Sequence, residues 1–545
     1  MKKFILVLSA ISLLFISCTK TPDYPTDKVR IAIPDDVTTF NPMFSFTISE
    51  GVVSELLYLP LVKHEWNNTT KAIEPVNYLA SSWKWVNEKS LEVVLKKNIY
   101  WSDGKPVTLD DVIFSLVVYS DPESKSKFYG YFTNYITDEN EKIVSEKSFQ
   151  VQNDSTLLIT FNEHGSPNLL DIDFPIIPKH FFGELNIADL ENSEKNLQPV
   201  TNGPYKIKSW VRNSSLLLEP VENHFLITDK NTPDIEFVVV SDYQARILKL
   251  SNGEIDIIQD IIPEDVEEIN NSNLAYTDEV KGRDYDYIGW NNIDPEAFEN
   301  GKSLPNKLFG SAKVREALST AINRELILKD YLKGKGTLSN GPVTPTVFEN
   351  YKPVTDLFNP EKAIEILKAE GWTDSDNDGI LDRDGTKFEF DLTIVTGSKR
   401  KKYAAEIVKS NLEKIGVKAN IKNIEYNNFI DNLMSHKIDA WVGGWYIPLP
   451  VELRVYWYSD FREAPMNFAG YQNAVTDSLL NDLANYPYVS PPKEKLEGLQ
   501  EQIFSQHPVT FLYWVDQVFG INKRVKNIDV NPLGAIHSCW EWRID

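Results

Sequence analysis

Asp374-Ser-Asp-Asn-Asp-Gly-Ile-Leu-Asp382 carries carboxylates at positions 1, 3, 5 and 9 of a calcium-type loop, with Gly379 at the sharp turn. Oxygen ligands at that spacing can wrap a hard cation, so Asp374, Asp376, Asp378 and Asp382 are candidate ligands for a structural Ca2+. Position 12 is Gly385, not the usual bidentate Glu. A solvated acidic turn is the competing reading, and the sequence leaves both open. No other cofactor is expected. A second stretch, Ile438 to Tyr458, concentrates Trp441, Gly443, Gly444, Trp445, Tyr446, Tyr456, Trp457 and Tyr458. Glycines in a strand admit a ligand backbone at close range, and aromatic rings supply apolar walls with polar tips. That is the composition of a binding pocket; the plainer alternative is core packing. The sequence holds no G-x-S-x-G elbow, H-E-x-x-H pair, P-loop or dinucleotide glycine fingerprint. Its seven histidines are scattered, with His180 reading as a packed or hydrogen-bonded one, and carboxylate pairs arise by number alone in so acidic a chain. Binding, not catalysis, is the expected chemistry.

Whatever binds is expected to do so outside the cytoplasm. Met1-Lys-Lys3 precedes an uncharged stretch from Phe4 to Ile16, and Ser17-Cys18 follows. A positive start, a short apolar segment and a small residue before the cut read as a signal peptide over residues 1–17. The apolar stretch falls short of the roughly 20 residues that span a bilayer. Leu14-Phe-Ile-Ser-Cys18 resembles a lipobox, although Phe15 departs from the usual Leu, so Cys18 is the expected acylation site. Residues 18–27, with Pro22 and Pro25, then form a tether to a membrane. With Cys18 lipidated, Cys539 has no cysteine left to pair with and reads as a buried thiol. A chain of 545 residues with 42% apolar content can build several domains around a large core. Its net charge of −23 opposes nucleic acids, whose phosphates call for Lys and Arg. A monomer is expected.

The candidate residues must be positioned by alternating strands and helices. Val29 to Ile33 reads as the first strand, followed by a loop through Asn41-Pro42 and a helix from Glu50 to Leu59. Trp83 to Leu95 alternates as strands, and Trp101-Ser-Asp-Gly104 is a turn. Thr108 and Asp111 have capping-box spacing ahead of an apolar helix. Arg212-Asn-Ser-Ser215 joins two strands as a hairpin, and Asp234 to Val240 adds another. Val314, Ala317, Leu318, Ala321 and Ile322 share one helical face. A further helix starts at Asn359 as cap with Pro360 behind it and stops at Gly371; strands follow at Phe388 to Val395 and Val417 to Ile424. No period repeats, which excludes solenoids and propellers. The class is α/β.

The run Leu91-Glu-Val-Val-Leu-Lys-Lys-Asn-Ile-Tyr-Trp-Ser-Asp-Gly-Lys-Pro-Val-Thr-Leu-Asp-Asp-Val-Ile-Phe-Ser115 resembles the family 5 solute-binding proteins of bacterial ABC importers. Ile177-Pro-Lys-His180, Asn202-Gly-Pro-Tyr-Lys206, Gly253-Glu-Ile-Asp256, the segment Lys313 to Arg324 and the segment Ala363 to Trp372 are similar to family blocks in family order. The resemblance implies a type II periplasmic-binding-protein fold, with two lobes around a ligand cleft and an inserted domain. It places the first lobe at 28–63, 200–280 and 512–545, the inserted domain at 64–199 and the second lobe at 281–511, with hinges near 280 and 510. It implies capture of a peptide or similar small solute and delivery to a membrane permease. The segment holding Trp441 to Tyr446 would line the cleft. Asn41-Pro-Met-Phe-Ser-Phe-Thr47 would face it, offering Ser45, Phe46 and Thr47, unless Ser45 and Thr47 are turn residues. Tyr129 and Tyr131 would form a third wall. Many peptide-binding members have an Asp two or three residues after the equivalent of Trp445; here no acid comes before Glu452. Either Glu452 substitutes, or the ligand lacks an amino terminus there. An exported hydrolase and a sensor subunit for a signalling partner are the rival readings.

Overall fold

In the computed structural model, residues 27–164, 167–348, 351–448, 451, 453–484 and 492–545 are described. Val29, Ile31 and Ile33 turn inward from the first strand, Lys28–Ile33, which pairs in parallel with Asp234–Val239 from Lys28 opposite Asp234 to Ile33 opposite Val239. The hairpin Tyr205–Val211 and Ser215–Pro220 extends that sheet, and its turn places Asn213 at φ 57°. On the other side lies the short strand Ile257–Ile258.

Two long antiparallel strands then carry the sheet onward. Ala275–Trp290 and Val509–Asn522 run side by side out of the first lobe and into the second. There Ala440–Tyr446, Glu389–Val395 and Lys418–Ile424 complete an eleven-stranded sheet, which also includes Gly336–Leu338. Helices cover the second lobe, and the sequence explains their ends. Ser311 caps Ala312–Thr320, and Asn359 accepts a hydrogen bond from Lys362 N ahead of Pro360–Ala369. Gly371, at φ 86°, stops the latter.

The lobes have separate cores. Val280 packs with the first lobe, whereas Tyr285, Tyr287, Ile288 and Trp290 of the same strand lie in two apolar clusters of the second. On the return strand, Leu512, Tyr513 and Trp514 belong to the second lobe and Val518 and Phe519 to the first, so the return crossing lies C-terminal to residue 514 by this criterion. The ladder between the strands shifts register between Val280 and Asp284. Inside that shift a Cβ on Gly282 would sit 1.7 Å from the Val515 carbonyl oxygen, so a side chain there has no room.

The segment expected as an inserted domain has its own sheet, ordered Ala80–Asn87, Ser90–Leu95, Thr156–Thr160, Phe149–Asn153. Its helix Leu109–Ser120 carries the expected capping box of Thr108 with Asp111. Leu91, Leu116 and Ile159 share one apolar cluster with Ile31 and Phe237 of the first lobe. The two are separate sheets on a common core.

Beside the crossing, Asp286 is fully buried in the middle of a strand. Arg400, from the helix Lys399–Glu413, supplies its counter-charge: Nε lies 2.7 Å from Oδ2 and Nη2 3.0 Å from Oδ1, while Nη2 also reaches Asp284 Oδ2 at 2.9 Å. The Tyr513 hydroxyl donates to Asp286 Oδ2 at 3.1 Å. Burial raises the Asp284 carboxyl above its ordinary pKa, with Arg400 opposing that shift and Asp286 adding to it. For Arg400 burial opposes the charge, and the two carboxylates outweigh it. Arg400→Met would strand Asp286 in the interior, and losing one partner of a buried pair costs about 3–5 kcal/mol. A urea titration should show that loss, with partial recovery when Asp286→Asn is added.

Candidate ligand-binding site

Strand parity sorts the aromatic-glycine segment. Ala440–Tyr446 pairs with the first crossing strand, Gly443 opposite Tyr287, Gly444 opposite Asp286 and Tyr446 opposite Asp284. Trp441 is 1% exposed, and its indole Nε1 donates to the Tyr287 hydroxyl at 3.3 Å. A Cβ on Gly443 would lie 2.6 Å from Tyr287 Cζ, and one on Gly444 2.8 Å from Asp286 Oδ1. A side chain at either glycine would therefore clash with the neighbouring strand, and Trp441 is a core residue. Trp445 is intermediate, its ring 4.8 Å from Tyr456 and 5.3 Å from Phe468. Tyr446 is 55% exposed at the end of the strand, with the Arg283 guanidinium 4.4 Å above its ring. Glu452 lies outside the described residues.

The facing loop is held by its own polar groups. Asn41 Oδ1 accepts from Met43 N at 3.0 Å, and its Nδ2 donates to Asn196 Oδ1 at 2.9 Å. Ser45 is buried, donates to the Pro42 carbonyl and accepts from Lys127 Nζ at 2.7 Å, while the same ammonium reaches the Ser45 carbonyl at 2.9 Å. Burial pulls the Lys127 pKa down against Glu55 and Glu50. Thr47 caps the helix Ile48–Leu57 in a reciprocal box with Glu50, which also accepts from Thr38. Burial works against the Glu50 carboxylate, yet the hydrogen bonds from Thr38 and Thr47 hold it below its ordinary pKa. Ser45 is thus a turn residue and Thr47 a cap, and Phe46 is 69% exposed. Tyr129 and Tyr131 are exposed on the inserted unit, in the loop that Lys127 ties to Ser45.

The structure therefore gathers Phe46, Tyr129 and Tyr131 on elements of the first lobe and inserted unit, and leaves Trp445 and Tyr446 on the second lobe. Sequence reasoning passed over Lys127, Arg283 and Arg400. The signal for the last was Arg283-Asp-Tyr-Asp-Tyr287, where charge alternates with aromatic residues in a strand too buried for unpaired carboxylates. His180 is hydrogen-bonded, its Nε2 2.8 Å from Asp103 Oδ2 in the Trp101–Gly104 turn.

The match to known proteins decides the family. The model of bacterial extracellular solute-binding proteins, family 5 (middle), matches residues 74–463. The chain belongs to that family. Among the relatives of this solute-binding protein, the oligopeptide-binding protein AppA of Bacillus subtilis is 29% identical over 524 residues, covering 93% of this chain and 89% of the relative. The solved structure of that AppA in complex with a nonapeptide has TM-score 0.71 at 26% identity, over 96% of this chain and 100% of the other. NikZ from Campylobacter jejuni, in complex with Ni(L-His), has TM-score 0.72 at 23% identity over 95% and 100% and shares the fold. The type II periplasmic-binding-protein class read from the sequence thus holds.

Elsewhere in the solute-binding protein, carboxylate oxygens of Asp374, Asp376 and Asp382 lie within 4.8 Å of one another. Asp374 accepts from the backbone of Asp378 and Gly379, and Asp382 from Ser375. Asp378 turns away to the Lys387 ammonium, which also stands 3.0 Å from Asp376 Oδ2. Those two contacts raise the Lys387 pKa.

Because Tyr287 fills the space beside Gly443, Gly443→Ala should cost about 1–3 kcal/mol by overpacking, seen as a lower urea midpoint. Phe46→Ala, at an exposed position, should leave the midpoint within about 0.5 kcal/mol.

Proposed function

We propose that this solute-binding protein captures a peptide or similar small solute between its lobes and hands it to the membrane permease of an ABC importer. The observation that carries the reading is the family match, together with two separately cored lobes joined through paired crossing strands and bearing exposed aromatic side chains on either side. The bound nonapeptide of AppA supports a peptide as the solute class. We assign the chain no catalytic step. Ligand closes the lobes only insofar as it binds the closed arrangement better than the open one. Small-angle scattering of the purified chain is expected to show a smaller radius of gyration with a saturating peptide pool; unchanged scattering with every bound solute would overturn the capture mechanism.

Residues 1–17 and the Cys18 anchor lie outside the described residues, and among the latter no helix is long and apolar enough to cross a membrane. The proposed address is the outer side of the membrane, held by acyl chains on Cys18, with the protein acting as a monomer. Cys18→Ser should move the protein from the membrane fraction to the soluble exported fraction; retention in the membrane fraction would defeat the anchor.

A structural Ca2+ in the 374–382 loop is supported by the convergence of Asp374, Asp376 and Asp382 and opposed by Lys387, which already meets two of the loop's carboxylates. If the ion binds, millimolar Ca2+ should raise the melting temperature of the wild type but not of Asp376→Asn. Equal melting curves with Ca2+ and with chelator would leave the loop to Lys387.

A further inference from the structure

Among the described residues, Glu279, Lys281, Asp284 and Asp286 of the first crossing strand each meet an opposite charge. Lys281 Nζ lies 2.9 Å from Asp516 Oδ2, Lys335 Nζ 2.7 Å from Glu279 Oε2, and Asp284 and Asp286 share Arg400. Arg283 sits among them, inside the register shift between Val280 and Asp284, where the chain passes from one core to the other. It is partly buried, yet among the described residues no carboxylate lies within ion-pair distance of its guanidinium. Its polar partner is the Tyr446 hydroxyl, to which Nη2 donates, and it stacks over the Tyr446 ring. A guanidinium carries five donors in a planar fork, and the Tyr446 hydroxyl takes one of them. Burial lowers its pKa, and the Tyr446 contact opposes this, as expected for a charge whose lost hydration is incompletely replaced.

The backbone around it is fixed from the second lobe. The Arg283 carbonyl accepts from Ile447 N at 2.8 Å, and the Gly282 carbonyl accepts from the Thr344 hydroxyl at 3.1 Å. The residue is therefore held in place beside Tyr446, which is the most exposed aromatic of the Trp441–Tyr446 segment.

We propose that Arg283 is the anion anchor of the cleft: its free fork receives a carboxylate or other oxyanion of the captured solute, with Tyr446 as the second donor. The inference rests on the cleft reading above and adds the chemical class of the group bound at the hinge. A bidentate oxyanion is the group that a planar guanidinium matches best. Placed at the crossing, it would satisfy a charge that both lobes border. For a peptide the oxyanion is the terminal carboxylate; for another solute it is a carboxylate or phosphoryl group.

The test has two arms. Solutes released by denaturing the wild type, Arg283→Met and Arg283→Lys are identified by mass spectrometry. Each protein is also titrated with a pool of tetrapeptides prepared as free acids and as C-terminal amides, with melting temperatures confirming that the variants fold. The wild type is expected to favour acids over amides by about ten- to a hundredfold, the range of a hydrogen bond to a charged group. Arg283→Met should lose that preference and Arg283→Lys keep part of it. Equal preference in wild type and Arg283→Met, or binding of amides as tightly as acids by the wild type, overturns the anchor while leaving peptide capture standing. Release from the wild type alone of an anionic solute that is not a peptide, with neither tetrapeptide form bound, overturns the peptide reading and keeps the anchor. Failure of the wild type to retain or bind any of these overturns both.

Discussion

The fold depends on a buried charge in the middle of a shared strand. Asp286 sits on one of the two strands that reach through both lobes, close to the places where its ladder with the return strand breaks register. An isolated carboxylate there would be costly, and Arg400 with Tyr513 converts the cost into a fixed geometry. That geometry pins the start of the helix Lys399–Glu413 against the crossing. Asp284, on the same Arg400, extends the network toward the site where Arg283 and Tyr446 stand.

Local features were legible from sequence because the partners lie within a few residues of each other. The Thr108–Asp111 box, the Asn359 cap with Pro360, the Gly371 stop and the 212–215 hairpin are each settled by turn or cap chemistry over a short span. The α/β class follows from the same periodicities, and the order of blocks along the chain was enough to point to the family. What could not be read was pairing over distance. Arg400 and Asp286 are 114 residues apart, and Lys127 and Ser45 are separated by 82. No local rule connects them.

The candidate site shows the same division. Composition marked Trp441 to Tyr446 as notable but could not say which face each residue takes. A strand alternates, so Trp441 and Gly443 serve the Tyr287 packing while Tyr446, at the strand end, stays open. In the loop before the first helix, Thr47 caps the helix and Ser45 bonds to the Pro42 carbonyl, while the apolar Phe46 lies exposed. Small polar side chains beside a helix start compete first for orphan backbone donors. A reading by residue type alone weights such positions toward ligand when local backbone chemistry has already claimed them.

The two crossing strands are paired along most of their length, and the ladder shifts register at two places, between Val280 and Asp284 and between Asp286 and Tyr287. The link between the lobes is thus a two-stranded ribbon, which bends more readily than it stretches because stretching would break its ladder hydrogen bonds. A hinge opening of the lobes would be taken up as bending of this ribbon near Gly282, because stretching or sliding would break the ladder on both sides of it. In such a hinge the span between the lobes at the ribbon would change little, whereas the span at the far rim would vary with the bend. A long occupant and a short one would then differ in how far the jaws stand apart at the rim, while meeting the same fixed groups at the pivot.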